Sequence, residues 1–300
     1  MQNEKQVLKV SVYGALIFAI VAIVWGVAGN SQMILFDGLY SLISVALSFF
    51  SLLSAAYIQK NDFKRFPFGK EMLEPIVILS KYTVILLLCM YAFSSAAADL
   101  LSGGRMVEPG MAVLYALLAT IGCYVVFLYL NKQKKSLNSG FVAAEANQWM
   151  MDIYLSFAVM IGFLAAWFMT MTPFAHVTPY IDPLMVMLVS GYFVKVPLLS
   201  IKEQVKEVLE MAPEKGIQTE IEKTSSHIKE KYGFDESILR VSKVGSKLFI
   251  EVDFIVDTDK WEPSINDQDR IREEFYECLI DIPYTKWLTI SFTSDRKWAL

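Results

Sequence analysis

The stretch MILFDGLYSLISVALSFFSLLSAAYIQ, residues 33–59, decides the fold. A bilayer core about 30 Å thick takes roughly 20 apolar helical residues to cross, and this run exceeds that with Asp37 as its one charge. Its polar groups are not scattered. Asp37, Ser41, Ser44, Ser48 and Ser51 recur at steps of four and three, so on a helix they form one stripe. A carboxylate in such a helix costs at least ~2.5 kcal/mol on insertion scales, so the stripe is expected to face away from lipid.

Five further runs of this kind surround it. Val10 to Gly29 and Met111 to Leu130 carry no charge, and Pro75 to Ala98 carries only Lys81. Phe141 to Met171 carries Glu145 and Asp152, and Pro183 to Leu199 carries Lys195. Hydrophobic residues make up 55% of the chain, above the share of an ordinary soluble domain, and the excess lies in the first two thirds. The expected fold class is therefore an α-helical membrane protein with six transmembrane helices over residues 1–200.

Orientation follows from the basic residues, which stay on the cytoplasmic side of short loops. Lys5 and Lys9 precede the first span; Lys60, Lys64, Arg65 and Lys70 separate spans two and three; Lys132, Lys134 and Lys135 separate four and five. The opposite connections hold little beyond Arg105 and His176. Both termini are expected to be cytoplasmic in a multi-pass protein of the cell membrane. The first span is too long for a cleaved leader and lacks a small-residue cleavage site, so it is expected to remain as a helix. Cys89, Cys123 and Cys278 show no paired spacing, which suggests packing rather than disulfides or a zinc-thiolate site.

From about Ile201 the chain turns densely charged, and residues 201–300 read as a separate cytoplasmic domain. Pro213 opens a helical pattern through Ile217, Ile221 and Ile228 that Gly233 ends. Ser237 to Lys243 and Lys247 to Val256 alternate as a hairpin, a helix spans Ile265 to Ile282, and a last strand lies around Trp287 to Thr293. The order is αββαβ, a small sheet with helices on one face. Acidic residues exceed basic ones here by about six, which argues against nucleic acid and for protein or self-association.

On the fifth span Glu145, Gln148, Asp152 and Ser156 repeat the spacing seen on the second, with Asn147 beside them. Should the two stripes meet, Asp37, Ser41, Gln148 and Asp152 would offer four oxygen-bearing groups to one cation, with two carboxylates balancing a divalent charge. Ser44, Ser48 and Ser51 suit close helix packing instead. Asp37 and Asp152 do not, because packing needs no ionisable group and a lone buried carboxyl tends to be protonated. Glu145 can reach the interface, Lys81 can snorkel or pair with a carboxylate, and Met150 and Met151 read as filler. His176 and His227 are isolated, which excludes a histidine-rich metal site. No nucleophile-base pair, HExxH sequence or phosphate-binding glycine loop points to an enzyme.

Several short motifs resemble the cation diffusion facilitator (cation efflux) family: Phe36-Asp37-Gly38-Leu39-Tyr40-Ser41, Phe66-Pro67-Phe68-Gly69 with Glu74-Pro75, Ala144-Glu145-Ala146-Asn147-Gln148 with Asp152, and Asp182-Pro183. The resemblance covers nearly the whole chain. It implies six spans followed by a ferredoxin-like, metal-chaperone-like αββαβ domain, and a homodimer that exports a divalent metal ion in exchange for protons by alternating access. It implies a tetrahedral site of carboxylates or imidazoles on spans two and five. Asp37 and Asp152 match that pattern, while Ser41 and Gln148 stand at its other two positions. Phe66 and Lys70 occupy histidine positions of the loop motif, and the tail strand has Ser291 near its usual histidine, so no loop or tail metal site is expected. No permanently bound cofactor is expected; the metal ion is the substrate. Oxygen donors favour manganese, iron(II) or magnesium, while relatives of this pattern are described as cobalt, zinc and cadmium carriers, so the metal stays open. The alternative is a non-transporting sensor or scaffold that acts through the tail.

Overall fold

The computed structural model describes the chain except at residues 1, 59, 61, 63, 138–139, 246, 260, 262–263 and 300. At 2–6, 8, 48, 51–52, 55–56, 134–137, 140–145, 147–148 and 151 it describes the backbone but not the side chain. Two compact units result: Met1–Leu52 with Lys81–Leu199, and Leu53–Ser80 with Ser200–Leu300.

The first unit is helical. α1 (Gln2–Ala28) and α2 (Gln32–Ile58) are joined by a tight turn through Asn30, whose φ of 51° is one of the left-handed conformations asparagine tolerates best. α3 (Leu73–Leu101), α4 (Pro109–Leu137) and α5 (Gly140–Thr170) follow, then a 3-10 segment (Pro173–Tyr180), α6 (Ile181–Phe193) and α7 (Lys195–Val208). Among the described residues five stretches are long and apolar enough to cross a membrane: Lys9–Ala28, Leu73–Leu101, Pro109–Gln133, Asp152–Thr170 and Pro173–Val208. α2 contributes a shorter apolar stretch, Gln32–Leu47.

The run expected as one span from Pro183 to Leu199 is divided at Val194. Pro197 explains the break. It has no N–H to give to Phe193, and its ring crowds the carbonyl four residues back. The core of this unit is built from small side chains, with Ala22, Ala92, Ala96, Ala112, Ala116 and Ala119 buried around Met33, Phe36 and Phe163. Helices surrounded by lipid gain little from burying apolar area, and small residues let their backbones approach and pack.

In the second unit α8 (Lys215–Tyr232), β1 (Glu236–Val244), β2 (Lys247–Ile255), α9 (Ile265–Cys278) and β3 (Thr285–Thr293) occur in the order αββαβ. The sheet order is β1-β2-β3, with β1 antiparallel and β3 parallel to β2. Gly233 closes α8 at φ 70°, a conformation that glycine adopts without a Cβ clash. Leu248, Ile250, Val252 and Phe254 bury one face of β2 against Ile221 and Ile228 of α8 and Ile271 and Phe275 of α9. On the other face Asp253 is buried as well, held by Arg240 at 2.8 Å, and Arg240 also donates to the Ala299 carbonyl. The helix expected to reach Ile282 ends at Cys278 instead. Pro283 disfavours helical backbone at Ile282, and the chain turns before it.

Candidate functional site

Asp37 sits in the second turn of α2 and is half-buried. Tyr115 of α4 donates its hydroxyl to Asp37 Oδ2 at 3.1 Å. That phenol is 4% exposed, with the rings of Phe18 and Trp25 of α1 at centroid distances of 6.2 and 6.1 Å. Aromatic packing on two sides restricts the Tyr115 ring, so its hydroxyl presents a fixed donor to the carboxylate.

Two features hold α2 where it is. A Cβ on Gly38 would lie 2.8 Å from both the Ala22 Cβ and the Ile23 nitrogen, and one on Gly26 would lie 2.6 Å from the Leu35 nitrogen, so only glycine allows α1 and α2 this approach. Asp182, at the head of α6, accepts from Ser31 Oγ at 2.6 Å, Gln32 N at 2.9 Å and Met33 N at 3.3 Å. The first N–H groups of a helix have no partner within it, and this buried carboxylate satisfies two of those of α2.

Asp152 is half-buried on α5. Ser156, one turn past Asp152, is buried. Ser41 lies one turn beyond Asp37 and is half-buried. The side chains of Gln148, Glu145, Asn147, Ser48, Ser51 and Met151 lie outside the described residues. Among the described residues no three His, Cys, Asp or Glu side chains gather as a metal cluster.

Residues 8–209 match the family defined by the cation efflux transmembrane domain. The chain belongs to the cation efflux family. This cation efflux protein is 25% identical over 165 residues to the manganese efflux system protein MneP of Bacillus subtilis, covering 55% of each chain. It is 27% identical over 159 residues to the magnetosome protein MamM of Magnetospirillum gryphiswaldense, covering 53% of this chain and 48% of that one. The chain spans about half the length of these relatives. The family is one of membrane transporters rather than enzymes, and the cation efflux protein is a multi-pass membrane protein.

Two residues of this cation efflux protein that matter to the site escaped sequence reasoning. Tyr115 lies in a charge-free helix and has no spacing signal, because its partner is 78 residues away. Asp182 stood out only as part of a motif, and nothing local shows that it caps a helix beginning 150 residues earlier.

Proposed function

We propose that the chain is a proton-coupled antiporter that exports divalent metal cations from the cytoplasm, with Asp37, Ser41, Gln148 and Asp152 as the transport site. The observation that carries this reading is the pair of half-buried carboxylates in apolar helices, Asp37 on α2 and Asp152 on α5, in a chain whose residues 8–209 match the cation efflux transmembrane domain. Two carboxylates offset a divalent charge; when the ion leaves, the same oxygens take protons, and a change in exposure couples the two movements. Carboxylate, hydroxyl and amide oxygens suit hard ions. The relative named for manganese efflux agrees, so manganese is the first ion to test, with iron(II), cobalt, zinc and cadmium beside it. By family resemblance the protein works as a homodimer in the cell membrane. Residues 1–200 form six transmembrane helices, residues 201–300 a ferredoxin-like cytoplasmic domain, and both termini lie in the cytoplasm.

Everted vesicles holding the full-length protein, given an imposed pH gradient, test this directly. Manganese uptake that vanishes in Asp37→Ala and in Asp152→Ala is the expected result. The neutral residues Ser41 and Gln148, at positions where the family pattern has carboxylate or imidazole, favour the second reading, a non-transporting sensor or scaffold. Uptake of no candidate ion, together with a cellular phenotype indifferent to both alanine variants, would select it.

A further inference from the structure

Two aromatic rings meet beside Asp37. Tyr40 of α2 stacks on Phe193, the last residue of α6, with ring centroids 5.1 Å apart and planes 17° from parallel. Both residues are half-buried and pack against the alanine-rich core of the first unit. Stacked rings attract beyond what their buried area gives, so the contact is a preferred arrangement of the two helices.

The level of the stack follows from the heads of α2 and α6. Asp182, at the head of α6, bonds the first turn of α2, and the stack joins the same two helices farther on, so they run side by side in one direction. At about 1.5 Å per residue, Tyr40 stands ~4.5 Å and Phe193 ~9 Å farther from that end than Asp37. Tyr40 also lies on the polar side of α2, three residues after Asp37 and four before Ser44. A helical side chain leans toward the start of its helix, so the Tyr40 ring covers the turn that carries Asp37, and it meets Phe36 of that turn at 6.1 Å. Other sides of this turn are occupied: Gly38 lies against Ala22 and Ile23 of α1, and Tyr115 of α4 holds Asp37 Oδ2.

Phe193 stands where α6 is weakest. Its carbonyl cannot accept from Pro197, which has no N–H, and the helix ends at the next residue. Just before it comes the pair Ser190-Gly191, and the Ser190 hydroxyl donates back to the Val186 carbonyl at 2.6 Å. Helices bend at prolines, at Gly/Ser pairs and at such back-bonded serines. A bend between Ser190 and Pro197 carries the Phe193 ring away from Tyr40 while Asp182 keeps its bonds at the other end of α6.

We propose that the Tyr40–Phe193 stack is a gate on the cytoplasmic side of Asp37, opened when α6 bends between Ser190 and Pro197. With the rings together, water and ions are kept from the carboxylate; with Phe193 aside, they reach it along Ser41 and Ser44. The ion's route and the membrane orientation rest on the transport reading; the stack and the bend do not.

The test is thiol labelling in everted vesicles, whose outer surface is the cytoplasmic face. The full-length protein carries Asp37→Cys together with Cys89→Ala, Cys123→Ala and Cys278→Ser, and a charged, membrane-impermeant methanethiosulfonate is added outside. Labelling is expected to be slow with the stack intact and about tenfold faster after Phe193→Ala or Tyr40→Ala, in line with the loss of one aromatic pair. Because these two changes lie on separate helices, either serves should the other fold poorly. Phe193→Tyr and Tyr40→Phe retain both rings and should retain the slow rate. Pro197→Ala gives the Phe193 carbonyl a donor, stiffens the bend and should slow labelling further. Ala116→Cys, made in the same background without the change at Asp37, reports on general loosening, because that position is fully buried on α4, and should label equally slowly in every variant. Unchanged rates at position 37 in the folded alanine variants, a Phe193→Tyr rate as fast as that of Phe193→Ala, no slowing by Pro197→Ala, or an equal acceleration at position 116 overturns the proposal. Labelling needs neither metal nor a pH gradient, so its failure leaves the transport reading standing, and vesicles that take up no ion leave the labelling result standing.

Discussion

Replacing Asp182 by alanine tests whether the head of α6 holds α2, and with it Asp37, in place. The carboxylate is 2% exposed and accepts three bonds, from Ser31 Oγ at 2.6 Å, Gln32 N at 2.9 Å and Met33 N at 3.3 Å. Ser31 still accepts from Ile34 N at 3.2 Å, but its buried O–H loses its acceptor. The loss falls on that hydroxyl and on two backbone N–H groups, one well bonded and one weakly. A buried donor left without a partner costs about 1–3 kcal/mol, and taken near the lower end of that range these three losses come to about 3 kcal/mol. For a unit of this size each kcal/mol moves Tm by about 2–4 °C, which gives a fall of about 6–12 °C. Asp182→Asn retains an acceptor oxygen and is expected to lose less than half of that. Thermal melts of the detergent-solubilised full-length protein, read by size-exclusion fluorescence, measure the shift, and amide hydrogen exchange locates it in the first turn of α2. A melt within about 2 °C of wild type, less than 1 kcal/mol for a unit of this size, with that turn equally protected, refutes the reasoning.

Three further outcomes are expected. Gly38→Val forces α1 and α2 apart, because the new Cβ meets the Ile23 backbone at 2.8 Å; overpacking of this kind costs about 1–3 kcal/mol, and a variant as stable as wild type would contradict the close approach. Tyr115→Phe keeps the ring in its aromatic pocket and removes one bond to Asp37, so folding should be unchanged while KM for the transported ion rises about tenfold, equivalent to ~1.4 kcal/mol; an unchanged KM removes Tyr115 from the site. In the second unit, the hydrogen bond from Lys231 at 2.6 Å, followed by that from Tyr232, holds Glu274 below its ordinary value of 4.5. A depressed carboxyl stabilises the fold above that ordinary value and loses its contribution as pH falls through the folded one. Exchange protection in α8 and α9, corrected for intrinsic rates, should therefore drop on acidification from about pH 5 to about pH 3, and Glu274→Gln should flatten the drop; identical curves would count against the linkage.

Much of the architecture was legible in the sequence for simple reasons. The apolar runs around Val10–Gly29, Pro75–Ala98 and Met111–Leu130 needed only length and the absence of charge. The alternation of Leu248, Ile250, Val252 and Phe254 marked β2, and Gly233 marked the end of α8. Boundaries were read less well where a proline acted at a distance from the pattern, as Pro197 did in dividing α6 from α7 and Pro283 in shortening α9. At the candidate site the spacing of Asp37 with Ser41 and of Asp152 with Gln148 showed which helix faces were polar, since three-and-four periodicity is a property of one helix.

By itself, then, the sequence determined which segments are apolar, where the charged tail begins and which carboxylates lie in apolar runs, because each depends on neighbours along the chain. Only the tertiary structure decided that Tyr115 holds Asp37 and that Asp182 caps α2. Those are contacts between helices far apart in the chain, set by how closely small residues let the helices approach, and local periodicity carries no information about them.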